Sequence, residues 1–493
     1  MAITLTEYND NFDASELSDT IQALAGDDTV DISGKETHTV WAGAGDDSID
    51  ALNGVGADNK EDQVVGGGDG GDTIRLGAGN NSVYAGLGDD SVEIVGKGDN
   101  VVYVGDGADL VDMSNAANTG NSTIGLGAGD DTINLASTGD NTVFGADGDD
   151  SVDASTATGD NTLYGGAGED TVLGGAGADS IYGGLDKDTI SGLGGNNTLY
   201  GGDGDDSIVA TTGDNTIGGG AGNDEILATS GDNTVYGGAG DDSVTLGAGD
   251  NTVYGADGDD SITIVGGADS DNTVDAGEGD NEVSVTGSIG NDVITAGAGD
   301  DTIELTGSGS DSITAGDGDN EITFTTDAET TADTALTASV TGGAGDDTVT
   351  LDVGTTTEFA TGDDTMDLTV NTGAGDDTID LNVVTLNTAL TVTINAGEGD
   401  DTIDMAGAIG GDVTLDGGAG EDVFIFDDSA TYDNDITIMN FDVANDVIDD
   451  SAGAFATTDA SQVGSDVHVA LTNGQVIILT GIDFDDLTAA NFA

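Results

Sequence analysis

Carboxylates recur in this chain at a spacing that suits a hard cation. Between residues 165 and 263 the chain reads in units of nine, and every sixth position is an acid or its amide: Asp170, Asp179, Asp188, Asn197, Asp206, Asn215, Asp224, Asn233, Asp242, Asn251 and Asp260. The five residues before each are small and glycine-rich, and Val, Ile or Leu follows two residues later. The same placement gives Asp28, Asp47, Asp72, Asp90, Asp109, Asp131 and Asp150 earlier in the chain, and Asp292, Asp301, Asp311, Asp347, Asp377, Asp401 and Asp422 later. Glycine lets a turn aim its carbonyls at one centre. Carboxylates converging with those carbonyls form an all-oxygen cage, which Ca²⁺ accepts with six to eight ligands and Mg²⁺ tolerates poorly. These aspartates are the candidate ligands for multiple Ca²⁺ ions, the one cofactor the sequence implies.

Such a cage requires the turns to stack. Each unit is predicted to be a six-residue turn followed by a three-residue strand, with the eighth residue inward and its neighbours outward. Two units close one coil of eighteen residues, and stacked coils form two parallel sheets. The fold class is therefore all-β, a parallel β-roll or β-helix solenoid of nonapeptide repeats. The two edges of the coil differ. Asp170, Asp188, Asp206, Asp224, Asp242 and Asp260 fall on one, which should carry a row of ions. Asn161, Asp179, Asn197, Asn215, Asn233 and Asn251 fall on the other, which reads as an amide ladder able to form without metal. Asp160, Asp214, Asp232 and Asp250 still leave carboxylates on that edge. Tyr164, Tyr182, Tyr200, Tyr236 and Tyr254 close units of the asparagine edge, with Gly218 interrupting, and Tyr84, Tyr103 and Phe144 close similar ones. This outward stripe reads either as a stacked ladder supporting the sheet or as a lateral contact with another subunit or a glycan.

Five Lys and Arg stand against 98 Asp and Glu, a formal net charge of −93. Nucleic acid and anionic membrane surfaces both require a basic footprint and are excluded as partners. Disorder is the ordinary consequence of such acidity. It is opposed here by the absence of proline, the fixed positions of the acids and the aliphatic residue in phase with them. Without cysteine there are no disulfides or thiolate metal sites. No apolar run is long enough to span a membrane, and MAITLTEYNDNFDASEL lacks the basic and apolar parts of a cleavable signal. HExxH, GxSxG and P-loop motifs are missing. His38 and His468 are far apart and both are expected at the surface. A carboxylate held ionised by Ca²⁺ is a poor general acid, so a non-catalytic protein is expected.

Residues 1–22 precede the first clear repeat. Ile3, Leu5, Phe12, Leu17 and Ile21 suit a capping strand and a short helix, or a segment exchanged with a neighbouring subunit. Residues 23–323 form the calcium-binding β-roll, with Asn53–Gln63 as a surface loop. From 324 to 425 the motifs at Gly342, Thr372, Ala396 and Gly417 are 30, 24 and 21 residues apart, separated by alternating stretches such as Leu381–Asn395. These read as longer strands of a wider β-solenoid with sparser calcium loops. Residues 426–493 lose the repeat and become a β-rich C-terminal cap.

GGAGEDTVL, GGDGDDSIV and GGAGDDSVT resemble the RTX family of secreted bacterial proteins. GSDVHVAL, NGQVIILTGID and LTAANFA resemble the C-terminal region of type I secretion substrates. The resemblance implies export without an N-terminal signal peptide, an uncleaved C-terminal signal at 426–493, and folding in the calcium of the medium. It also implies an extracellular or cell-surface location. With repeats filling nearly the whole chain and no separate effector domain, it points to a calcium-stabilised structural protein that self-assembles as an S-layer or filament. Its partners would be further copies of itself, as homo-oligomer or polymer, and a cell-surface polysaccharide. The alternative is a monomeric calcium-dependent adhesin or matrix protein binding glycans or cells. About twenty ions would offset only about forty negative charges, so side-by-side assembly should need calcium beyond that needed for folding.

Overall fold

In the computed structural model the described residues are 2–13, 20–32, 36–52, 61–267, 269–326, 336–353, 366–383, 390–406, 411–426, 435–450, 460–471 and 476–492. Leu17, most of the Asn53–Gln63 insertion and part of the Leu381–Asn395 stretch lie outside them. The chain forms two compact units, Met1–Ala239 and Gly240–Ala493.

In the first unit consecutive strands alternate between two parallel sheets. Thr162–Ala167, Ser180–Leu185 and Thr198–Asp203 are successive strands of one sheet. Thr171–Leu173, Thr189–Leu193 and Ser207–Ala210 are successive strands of the other. Register is kept coil after coil, so Leu163 lies beside Ile181 and Ile181 beside Leu199, while Val172 lies beside Ile190. The eighth-position residues form the core: Leu163, Val172, Ile181, Ile190, Leu199 and Ile208 are fully buried. Burying each such side chain contributes roughly 1.5–3 kcal/mol, repeated along the stack. The six-residue strands are longer than predicted, because pairing resumes past the first glycine of the next unit, with Gly166 beside Gly184. Gly166 sits at φ +133°, a conformation that glycine adopts at no steric cost.

At the start of this unit Ala2–Thr4 and Asn11–Asp13 pair in parallel with Thr20–Ala25 and Thr29–Asp31. Residues 2–13 thus continue the coil, and no helix occurs among them. His38 is fully buried, contrary to its expected surface position. It stands two residues before Val40, as the ladder residues stand before their inward aliphatics, with Val40 beside Ile21 and Trp41 outward.

The second unit begins with the same coil and then widens. Leu336–Ala344, Met366–Ala374 and Leu390–Glu398 are nine-residue strands. Asp311 pairs with Ala338, and that column continues as Leu368, Val392 and Val413. A polar turn position has become an inward apolar one, with Leu368 1% and Val392 0% exposed. The core gains a residue per coil, as the alternating stretches predict. Near the C-terminus Ile436–Met439 pairs in parallel with Val476–Leu479, which joins an antiparallel set with Asp466–Ala470 and Ala460–Val463. His468 therefore lies in the middle strand of this β-rich end. No helix among the described residues is long and apolar enough to cross a membrane.

Candidate metal-binding turns

All 21 candidate aspartates are buried, none more than 3% exposed. One oxygen of each ladder carboxylate is spoken for. In the first unit the amide N–H of Asp170 donates to Asp188 Oδ1 at 2.8 Å, that of Asp188 to Asp206 Oδ1 at 2.7 Å, and that of Asp206 to Asp224 Oδ1 at 2.8 Å. The ladder runs back through Asp150, Asp131, Asp109, Asp90, Asp72, Asp47 and Asp28 to the N–H of Asp10. Where an aspartate precedes the ladder residue it makes a second, exposed contact of opposite sense: Asp149 Oδ1 accepts from the following coil's Glu169 N–H at 2.8 Å, and Asp27, Asp46, Asp89, Asp130 and Asp205 accept likewise. Side chains of neighbouring coils thus satisfy two consecutive turn amides from opposite sides, which locks the stacking.

The other carboxylate oxygen is the chemically active feature. Oδ2 of Asp28, Asp47, Asp72, Asp90, Asp109, Asp131, Asp150, Asp170, Asp188 and Asp206 is buried with no hydrogen-bond partner, as is that of Asp260, Asp301, Asp311, Asp401 and Asp422 in the second unit. A buried, unpartnered carboxylate oxygen is costly. Where the turn opens on glycine, as for Asp72, Asp150, Asp170, Asp188, Asp206, Asp260 and Asp422, this oxygen faces that opening residue. A methyl group on Gly183 would strike Asp188 Oδ2 and lie 2.7 Å from the Gly201 carbonyl of the next coil, and Gly201 stands the same way to Asp206 and the Gly219 carbonyl. Carboxylate and carbonyl oxygens crowd one spot with no donor between them. A cation fits that donor set.

Electrostatics agree. Burial pushes the carboxyls of Asp72, Asp90, Asp150 and Asp188 up to about 7, and neighbouring ladder carboxylates push further the same way. Asp47, Asp131 and Asp170 reach about 6, again chiefly through burial. In the second unit burial raises Asp401 and Asp311 to about 7 and Asp260 to about 6. Without positive charge these groups resist ionisation at neutral pH.

The candidates are not equivalent. Asp179 lies on the asparagine edge, where its Oδ2 accepts from Gly175 N–H at 2.7 Å, and Asp347 Oδ2 accepts from Gly343 N–H at 3.2 Å. Both are satisfied by their own turns. Asp292 and Asp311 lie on the asparagine edge too, continuing from Asn272. Burial raises Asp292 and Asp377 too, but hydrogen bonds from Asn272, and then the Ser288 hydroxyl, hold down the rise at Asp292, and the Thr372 hydroxyl holds it down at Asp377. Asp242 donates its N–H to Asp260 Oδ1 at 2.8 Å. No group of three or more His, Cys, Asp or Glu side chains able to hold a metal occurs among the described residues. Each turn brings one buried carboxylate to a given coil, so the remaining buried ligands would be backbone carbonyls.

Several members escape a search for the glycine motif. Asp446, buried and raised by burial to about 6, continues the aspartate ladder by accepting from Asp422 N–H at 3.2 Å. The only hint is the spacing in NDVID. On the other edge Gln63 accepts from His38 N–H at 2.8 Å and begins a ladder through Asn81, Asn100, Ser122 and Asn141. Gln63 is the buried end of an insertion expected to be a surface loop.

The outward aromatics stack on one another. Centroids are 5.0 Å apart for Phe144–Tyr164 and Tyr164–Tyr182, 5.6 Å for Tyr182–Tyr200, and 5.9 Å for Tyr84–Tyr103. Trp41, not anticipated, extends this ladder to Tyr84 at 6.3 Å. The glycine interruptions are covered: the Tyr200 ring lies over Gly218 and the Tyr103 ring over Gly125. Ring faces are turned to each other and to these glycines, which favours the sheet-supporting reading of the stripe.

The model of the RTX calcium-binding nonapeptide repeat (4 copies) matches residues 6–31, 39–55, 66–93, 94–112, 155–190, 191–226, 227–262, 284–306, 305–324, 339–357 and 392–404, more than half of the chain. No curated protein matches the chain. Among solved structures, the extracellular lipase LipA from Serratia marcescens aligns with 55% of this chain and 40% of its own, at 16% identity and a TM-score of 0.15. That alignment is too slight to bear on function. The repeats, the two stacked sheets and the buried aspartate ladder agree with the family match, and the chain belongs to the RTX calcium-binding nonapeptide repeat family.

Proposed function

We propose that this is a secreted, non-catalytic structural protein that folds on calcium and assembles with copies of itself at the cell surface, as an S-layer or filament. The observation that carries the calcium part is the row of buried aspartates whose second oxygen faces carbonyls without a donor. Calcium at Asp28, Asp47, Asp72 and their successors on that edge would neutralise the row and hold each turn to the next. Ion binding then supplies folding free energy, and the chain stays open where calcium is scarce. On this reading residues 23–323 and 324–425 form the ion-bearing body and 426–493 carry the export signal. Self-assembly has to overcome the net charge of −93, which leaves the ion-loaded protein acidic, so bridging divalent cations would be the means of packing copies together. A cell-surface polysaccharide would be its anchor.

Electron microscopy of the purified protein, with calcium and with excess chelator, tests this. Regular sheets or filaments that vanish with chelator are expected. Dispersed particles that bind cells or polysaccharide in calcium would replace assembly with adhesion. Circular dichroism unchanged by chelator would remove the calcium premise.

A further inference from the structure

The sixth position carries Asp in some turns and Asn in others, and the two are held in the same way. In each, the side-chain oxygen accepts the amide N–H of the preceding coil: Asp188 Oδ1 from Asp170 N–H at 2.8 Å, Asn197 Oδ1 from Asp179 N–H at 2.9 Å. That bond fixes the orientation of the amide, because only its oxygen accepts. The remaining atom is then Oδ2 in aspartate and Nδ2 in asparagine, and both face the residue that opens the turn. A methyl group on Gly183 would meet Asp188 Oδ2, and one on Gly192 would meet Asn197 Nδ2.

The surroundings of that atom are oxygens. Asn197 Nδ2 donates to the carbonyls of Gly192, Gly194 and Gly195, each at 3.3 Å. Asn161 Nδ2 donates to its own turn at Gly159 O, 2.9 Å, and to the next coil at Asp179 Oδ1, 3.0 Å. Asn281 shows the full set: Gly279 O at 3.0 Å, Asp301 Oδ1 at 3.0 Å, and the next coil's opening carbonyl, Ala296 O, at 3.4 Å. The corresponding opening carbonyl in an aspartate turn, Gly201 O, lies beside the spot that Asp188 Oδ2 crowds. The amide hydrogens therefore bridge the oxygens that an aspartate turn leaves facing one another.

We infer that the sixth-position asparagines are built-in substitutes for the cation: an asparagine turn does without calcium, and an aspartate turn takes it unless, as at Asp179, a turn amide already donates to its second oxygen. The inference rests on calcium binding by the aspartate turns. It assigns an uninterrupted ion row to Asp28–Asp206 in the first unit. In the second unit it breaks the row, because Asn281 and Asn320 lie on the aspartate edge, where Asn320 Nδ2 donates to Gly318 O at 3.0 Å and Asp347 Oδ1 at 2.8 Å. The opposite edge, from Asn141 through Asn215, holds without metal, Asp179 being satisfied by Gly175 N–H.

Native mass spectrometry of the full chain in calcium acetate counts bound ions singly. Asn197→Asp is expected to carry one more calcium than the parent, and Asp206→Asn one fewer, both with the parent's circular dichroism in calcium. A folded Asn197→Asp with an unchanged count, or an Asp206→Asn that keeps every ion, overturns the inference. Should Asn197→Asp not fold, Asn281→Asp puts the same question in the second unit, with the same gain expected and an unchanged count overturning it. A parent chain that binds no calcium refutes the proposed function itself, an outcome distinct from equal counts in parent and variant.

Discussion

Calcium removal should make the first unit more stable in mild acid than at neutral pH. Burial raises Asp72, Asp90, Asp150 and Asp188 from 3.8 to about 7. The metal-free folded state therefore keeps protons that the unfolded chain has released. Their stabilising contribution is complete below about pH 4 and is lost as pH rises through about 7. Lowering the pH from 7.5 to 5 restores roughly 2 kcal/mol for each, about 8 kcal/mol for the four, and about half that after allowance for solvent screening. That compares with the whole net stability of an ordinary domain, about 5–15 kcal/mol. The assay is urea unfolding followed by circular dichroism, on protein stripped of calcium and exchanged into metal-free buffer at pH 7.5, 6.5, 5.5 and 5.0. The urea midpoint, or the β signal if the stripped protein is unfolded at pH 7.5, should rise steadily as pH falls. With calcium present the sign reverses, because protons then compete with the ion for the same oxygens. A stripped protein that loses midpoint or β signal between pH 7.5 and 5 refutes the reading of buried, mutually repelling carboxylates.

Two substitutions probe the frame around the ladder. Gly201→Ala places a methyl group against Asp206 Oδ2 and the Gly219 carbonyl. It should cost about 1–3 kcal/mol by overpacking, seen as a lower thermal midpoint in calcium. Tyr182→Ala removes two ring contacts, at 5.0 and 5.6 Å, and should cost about 1–3 kcal/mol. Its calcium count should be unchanged, and a melt equal to the parent's would show that the stripe contributes nothing to the sheet.

Much of the architecture is legible in the sequence because a nonapeptide solenoid is specified locally. Gly183, Asp188 and Ile190 belong to one short unit, and glycine, acid and inward aliphatic each state their role by position. The two-edged coil, the aromatic stripe and the presence of a wider stretch of solenoid all follow from counting. What counting could not supply depends on residues 18 to 30 apart meeting across coils. Only stacking reveals that Gln63 and the buried His38 belong to the asparagine ladder, or that Asp446 extends the aspartate one. The same holds for the fate of individual oxygens. The sequence makes both Asp179 and Asp188 candidate ligands, on opposite edges, yet Gly175 donates to one, whereas the other has its second oxygen buried without a partner. Composition and period therefore determine that this chain forms a calcium-binding coil. Which carboxylates lack a donor is decided by the tertiary structure, because a hydrogen bond needs its partner within about 3 Å, and that proximity arises only when one coil has settled on the next.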